Sequence, residues 1–206
     1  MEPNFGSMSK QATIHKKMIE NLGSEVIEVS TKSHNPLKLN LLKGLLSNPE
    51  ADIINVYCSS WWGFLPAIYS VTVAKLIGCR VFVNYHGGYF SEFYHRWNIL
   101  INFFMKPADL IIVPSQFLKI EFNKVGFRNI RILPNVVGKG FLDVGRIKRE
   151  VTPKFIITRS LEKIYSIDDS IRAFGIITET YKEAKLWVLG SGSLEAEMKS
   201  LVAELS

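Results

Sequence analysis

Three short segments of this chain have residue types and spacing that can do chemistry: Asn84-Tyr85-His86-Gly87-Gly88, Thr158-Arg159-Ser160-Leu161-Glu162-Lys163 and Gly190-Ser191-Gly192-Ser193. Paired glycines let the backbone turn tightly and a ligand come close, while the His86 imidazole exchanges protons near neutral pH. A guanidinium at Arg159 can clamp a diphosphate with two parallel hydrogen bonds, which lysine cannot do. Amides at Gly190 and Gly192 can cradle phosphate at a helix start, with Ser193 as candidate N-cap. Gly6-Ser7, opening the first helical pattern, offers the same amides. Each segment has a plainer reading too. His86 can cap a turn, Arg159 can pair with Glu162 or Asp168, and Gly-x-Gly without a third glycine and a following acid is equally a tight turn. Ser115 and Asn135, in Val113-Pro114-Ser115 and Leu133-Pro134-Asn135, either hold a ligand or cap a helix or turn.

Other chemistries lose ground. His15, His34 and His95 read as structural or solvated, and the histidines form no H-x-x-x-H or H-E-x-x-H spacing, so no protein-bound metal is expected. There is no G-x-S-x-G elbow and no cysteine beside a histidine, which argues against a hydrolase. A sugar-nucleotide epimerase would need catalytic carboxylates at strand ends, and none stands out.

These residues need a scaffold, and two hydrophobic periods supply it. Short β-branched runs at Val26–Val29, Ile53–Tyr57, Val81–Asn84, Leu110–Val113, Ile130–Leu133, Phe155–Ile157 and Leu186–Leu189 read as buried parallel strands. Helical patterns are interleaved with them. Met8, Ala12, His15, Ile19 and Leu22 share one face of a helix ending near Gly23, and further helices are read at Leu37–Leu46, Phe64–Ile77, Glu92–Met105, Phe117–Val125, Ile167–Ile177 and Leu194–Leu205. The alternation implies an α/β doubly wound sheet, in which ligands sit beyond the carboxyl ends of the strands. His86, Ser115, Asn135, Arg159 and Gly190 all fall just after predicted strands.

The rhythm breaks from Pro134 to Pro153, a glycine-bearing stretch with the basic run Arg146-Ile147-Lys148-Arg149, and a domain boundary is placed near residue 150. The first 150 residues read as one Rossmann-like domain, with its first strand expected to be missing. Residues 151–206 have room for only two strands and two helices, fewer than the ~5–6 of a doubly wound domain, so both ends read as trimmed. An incomplete second domain leaves an apolar face and an edge strand open, and self-association or fraying is expected there.

At 206 residues, 47% hydrophobic and 21% charged, the chain is too apolar for disorder. The net charge of +6 suits anionic ligands or an anionic membrane surface. The basic run lacks neighbouring aromatics that would stack bases, so no nucleic-acid partner is expected. Two cysteines inside apolar runs and a polar first stretch without a signal-peptide core point to a cytoplasmic protein. Trp97, Ile99–Ile101 and Phe103-Phe104-Met105-Lys106 either touch the inner membrane face peripherally or are core.

Taken in order, five segments resemble glycosyltransferase family 4: Asn84-Tyr85-His86-Gly87-Gly88; Val113-Pro114-Ser115-Gln116-Phe117-Leu118; Arg131-Ile132-Leu133-Pro134-Asn135-Val136-Val137 with Phe141; Thr158-Arg159-Ser160-Leu161-Glu162 leading to Ile171-Arg172-Ala173-Phe174; and Ala184 through Gly192. The resemblance implies the GT-B architecture, two Rossmann-like domains facing each other across a cleft. It implies retaining transfer of a sugar from a nucleotide-sugar donor to a glycan, lipid-linked or polysaccharide acceptor, with no cofactor and no essential metal. By the same resemblance His86 is the catalytic histidine facing the transferred sugar, and Gly6, Arg159, Lys163, Gly190 and Gly192 bind the donor. The family commonly follows its lysine with glycine, whereas Lys163 is followed by Ile164-Tyr165. The family's glutamate-bearing donor motif would fall after Leu205, so a weakly active or inactive partial chain is expected. The alternative is a non-catalytic fragment that binds acceptor or partner.

Overall fold

The computed structural model describes residues 7–29, 37–137 and 153–205. The chain divides into two compact units, Met1–Val144 and Gly145–Ser206. The boundary expected near residue 150 lies outside the described residues, as does the basic run at 146–149.

The first unit is a four-stranded parallel sheet: β1 (Ile53–Cys58), β2 (Arg80–Tyr85), β3 (Leu110–Val113) and β4 (Ile130–Ile132), side by side in chain order. Each step is a crossover through a helix, α3 (Leu65–Ile77), α4 (Phe90–Met105) and α5 (Gln116–Lys124), after α1 (Ser7–Asn21) and α2 (Leu39–Leu46). Right-handed crossovers stepping one way put α3, α4 and α5 on one face. Burial agrees: Ile54, Val56 and Cys58 alternate inward along β1 and share a core with Val73 and Ala74 of α3, Phe93 and Ile101 of α4 and Phe122 of α5. Tyr57 points to the opposite face and meets α1 through a hydrogen bond to His15.

Local signals account for the helix limits. Pro66 stands in the first turn of α3, where its missing N–H is not needed. Gly78 ends that helix at φ 78°, and the Gly78 and Cys79 amides both donate to the Ala74 carbonyl. Ser115 caps α5, its hydroxyl accepting from the Leu118 amide at 3.3 Å. In α4, Ile101 and Met105 are buried and Phe104 packs on the core, while Trp97, Ile99 and Phe103 are exposed.

One expected strand does not form. Val26–Val29 joins no ladder among the described residues; Val29 instead packs on α2, where a Cβ on Gly44 would collide with it. β-branched composition makes a strand possible, but only a neighbouring strand makes one.

The second unit holds β5 (Lys154–Thr158) parallel to β6 (Lys185–Leu189), with α6 (Ile167–Thr180) and α7 (Glu195–Leu205). Its core is Leu161, Ile167, Ile171, Met198 and Leu201, with Ile157, Leu186 and Val188 half-buried against it. The alternate residues Ile156, Trp187 and Leu189 are exposed. Among the described residues no helix is long and apolar enough to cross a membrane.

Candidate functional site

In the first unit the parallel register fixes where strands end together. Tyr57 lies opposite Asn84 and Cys58 opposite Tyr85, so the residues after β1 and β2 emerge side by side. The His86 amide extends the ladder by donating to the Cys58 carbonyl at 2.8 Å. Ser60 closes the turn between them, its hydroxyl hydrogen-bonded to that of Tyr85 at 2.5 Å. Gly87 fits because a Cβ there would stand 3.0 Å from the Tyr85 hydroxyl and 3.1 Å from that of Ser60. The glycine thus has a packing reason to be there.

His86 is half-buried, and its ring lies against Tyr57 with centroids 5.9 Å apart and planes 27° from parallel. Burial pushes its pKa below 6.5, and the nearby His15 adds to that shift. The imidazole is therefore held neutral at pH 7, with one nitrogen to donate and one to accept. His15 is also lowered, by burial. It sits on α1 with Nδ1 2.6 Å from the Tyr57 hydroxyl, a structural contact behind the ring that packs on His86. Burial raises the Tyr57 phenol, opposed by the Asn55 side chain, which keeps it protonated.

Ser115 and Asn135 stand at the same edge, after β3 and β4. The Ser115 hydroxyl is engaged as the α5 cap, which realises its capping reading. Asn135 is exposed, and its neighbour Val136 is gripped by Gln11 of α1. The Gln11 side chain donates to the Val136 carbonyl at 2.9 Å and accepts from the Val136 amide at 2.8 Å. This two-point clamp ties α1 to the carboxyl edge of the sheet. Gly6 lies outside the described residues. A shallow depression lies at the other end of the sheet, between Pro49–Ile53 and Ile77–Arg80, where parallel sheets do not hold ligands.

The second unit has its own cluster. Arg159 is exposed after β5, and its guanidinium lies over the Tyr165 ring, 3.8 Å from the centroid. Stacking occupies the flat face and leaves the in-plane N–H donors unspent. Of the two carboxylates expected to compete for Arg159, Glu162 is committed elsewhere: it accepts from the Ser193 amide at 3.0 Å and the Ser193 hydroxyl at 2.6 Å. Those bonds hold its pKa below 4.5. Ser193 therefore does not cap α7, which begins two residues later at Glu195. Lys163 is exposed in a short 3-10 turn, Lys163–Tyr165.

Gly190 and Gly192 are required by packing. A Cβ on Gly190 would overlap the Arg159 carbonyl oxygen, and one on Gly192 the Leu161 backbone. The Leu161 amide donates to the Ser191 carbonyl and the Leu194 amide to the Leu161 carbonyl, each at 3.0 Å. The arginine segment and the glycine turn are thus one local assembly. Sequence reasoning did not find Tyr57, His15 and Gln11 in one unit or the structural part of Glu162 in the other.

Set against known families, residues 23–138 match the model of Glycosyltransferase Family 4. That is more than half of the chain, and it contains the whole of β1–β4. The protein belongs to Glycosyltransferase Family 4. Among solved structures it is similar to a mutant of S. aureus TarM crystallised with fondaparinux, alpha-GlcNAc-glycerol and UDP, at a TM-score of 0.55 and 13% identity. The likeness covers 81% of this chain and 34% of that one, so this chain spans about a third of the TarM chain, and at that identity it speaks for the fold, GT-B. Comparison with curated proteins finds no match.

Proposed function

We propose that this chain is part of a retaining glycosyltransferase that moves a hexosyl group from a nucleotide-sugar donor to a glycan, lipid-linked or polysaccharide acceptor. Residues 1–150 form the acceptor side and 151–206 the beginning of the donor side. The observation that carries the reading is a neutral, half-buried His86 at the carboxyl edge of a parallel sheet, in a chain whose family match spans that sheet. TarM, crystallised with UDP, a sugar conjugate and an oligosaccharide, supports donor and acceptor of those classes.

Each residue has a task in this reading. The His86 imidazole hydrogen-bonds a hydroxyl of the transferred sugar as positive charge builds at its anomeric carbon. The leaving diphosphate gains negative charge, which Arg159, Lys163 and the backbone amides near Gly6, Gly190 and Gly192 offset without a metal or cofactor. Retention means that the acceptor oxygen bonds the anomeric carbon on the face the diphosphate leaves, and the acceptor proton passes to the leaving phosphate. The exposed Trp97, Ile99 and Phe103 of α4, with Arg96 and Lys106 beside them, fit peripheral contact at the inner membrane face for a cytoplasmic enzyme with a lipid-linked acceptor.

The family match lies within the first unit, which favours a second reading, binding of acceptor without transfer. Incubating the 206-residue chain with UDP- and GDP-sugars and oligosaccharide acceptors, with saturation-transfer NMR of both ligands, separates the two. Donor binding with slow turnover that His86→Ala abolishes is the expected result. Acceptor binding with neither donor binding nor turnover would select the second reading, and no binding of either ligand would overturn both.

A further inference from the structure

His86 has its main chain pinned by the ladder, but its ring still needs something to set its plane. Tyr57 is the side chain in position to do so. It lies between two imidazoles, with ring centroids 6.0 Å from His15 and 5.9 Å from His86 and interplanar angles of 34° and 27°. Its hydroxyl is bonded to His15 Nδ1 at 2.6 Å. The other nitrogen, His15 Nε2, is sealed from solvent with no hydrogen-bond partner among the described residues. Burying a polar nitrogen without a partner is costly, so packing alone would favour an apolar residue here. A histidine whose Nδ1 grips the Tyr57 hydroxyl has a reason to be there.

The support behind His15 is continuous. His15 is one helical turn from Gln11 on α1, and Gln11 is clamped to Val136 by two hydrogen bonds. From the other side, Asn84, fully buried on β2, donates to Asn55 on β1 at 2.5 Å, which braces the two strands that present Tyr57 and His86. Among the described residues the titratable groups facing the His86 ring are Tyr57 from β1 and, across it, His15 from α1; the turn behind it is closed by the uncharged Ser60–Tyr85 pair.

We propose that Tyr57 is the positioning residue of His86: its ring sets the plane of the imidazole, and the hydroxyl bond to His15 locks that ring to α1. The proposal rests on the reading of His86 as the group that meets the transferred sugar, but its geometric content is testable without turnover. Tyr57→Phe keeps the stacking surface and removes only the hydroxyl. His15→Gln keeps a hydrogen-bonding group and removes the second imidazole.

The experiment is a pH titration of the 15N-labelled histidines in the 206-residue chain, with His86 assigned from His86→Gln and folding checked by far-UV circular dichroism. In Tyr57→Phe the His86 ring signals are expected to shift and broaden, and in His15→Gln the His86 midpoint is expected to move up toward 6.5. Ring signals and midpoints that superimpose on those of the unaltered chain in both variants would overturn the proposal. So would a Tyr57→Phe chain whose His15 signals move while those of His86 stay fixed. Where turnover is measurable, Tyr57→Phe is expected to lower kcat with KM nearly unchanged. Unimpaired turnover in His86→Ala alongside the expected NMR shifts would instead sink the catalytic reading of His86 and leave the positioning intact.

Discussion

Two imidazoles that resist protonation make stability depend on pH in a defined window. Burial lowers the pKa of His15 and His86, and for His86 the proximity of His15 adds to the effect. The unfolded chain takes up these protons near 6.5, the folded chain only at lower pH, so between the two the unfolded state binds more protons. The stability is therefore fully present above 6.5 and is lost as pH falls through the folded midpoints. Urea midpoints measured from about pH 7.5 down to about pH 5 should fall, and fall less in His15→Gln. Glu162 and Glu195 do not confuse the result, because their stabilisation declines only below 4.5. An unchanged slope in His15→Gln would remove His15 as a source.

Among the elements, the joined turn of Arg159–Glu162 and Gly190–Ser193 is the least tolerant of added bulk. A methyl group at position 192 meets the Leu161 backbone, which cannot swing aside as a flexible side chain could. Gly192→Ala is expected to cost about 1–3 kcal/mol, the usual range for overpacking. Amide hydrogen exchange checks this: protection should drop in β5 and β6 and stay unchanged in β1–β4, and undiminished protection in β5 and β6 would refute the packing account. Most elements were legible in the sequence to within a residue or two, because a 3.6-residue apolar period, a proline at Pro66 and a glycine at Gly78 are local signals. Val26–Val29 was misread because pairing is not local. The site divides the same way. His86, Ser115 and Asn135 could be found by counting to the ends of apolar runs. Tyr57 with His15, Gln11 with Val136 and Glu162 with Ser193 are partnerships across 42, 125 and 31 positions, which no spacing rule encodes.

For the whole molecule, the two units differ in how much they bury. Among the described residues the first core gathers 23 buried hydrophobic residues and the second five. Ile156, Trp187 and Leu189 also remain exposed on the second sheet. The second unit should open more often, so brief trypsin treatment is expected to cut within residues 153–205 before 37–137. The intact chain is expected to gain mass with concentration in light scattering. Survival of the second unit while the first is cut would contradict this ranking. Gln11 carries a further consequence, for how the chain is made. Its partner Val136 leaves the ribosome 125 residues later, so α1, even once His15 has met Tyr57, lacks its second anchor until most of the unit is translated. Until then α1 is anchored at His15 alone, and the nascent chain spends that interval open to chaperone capture.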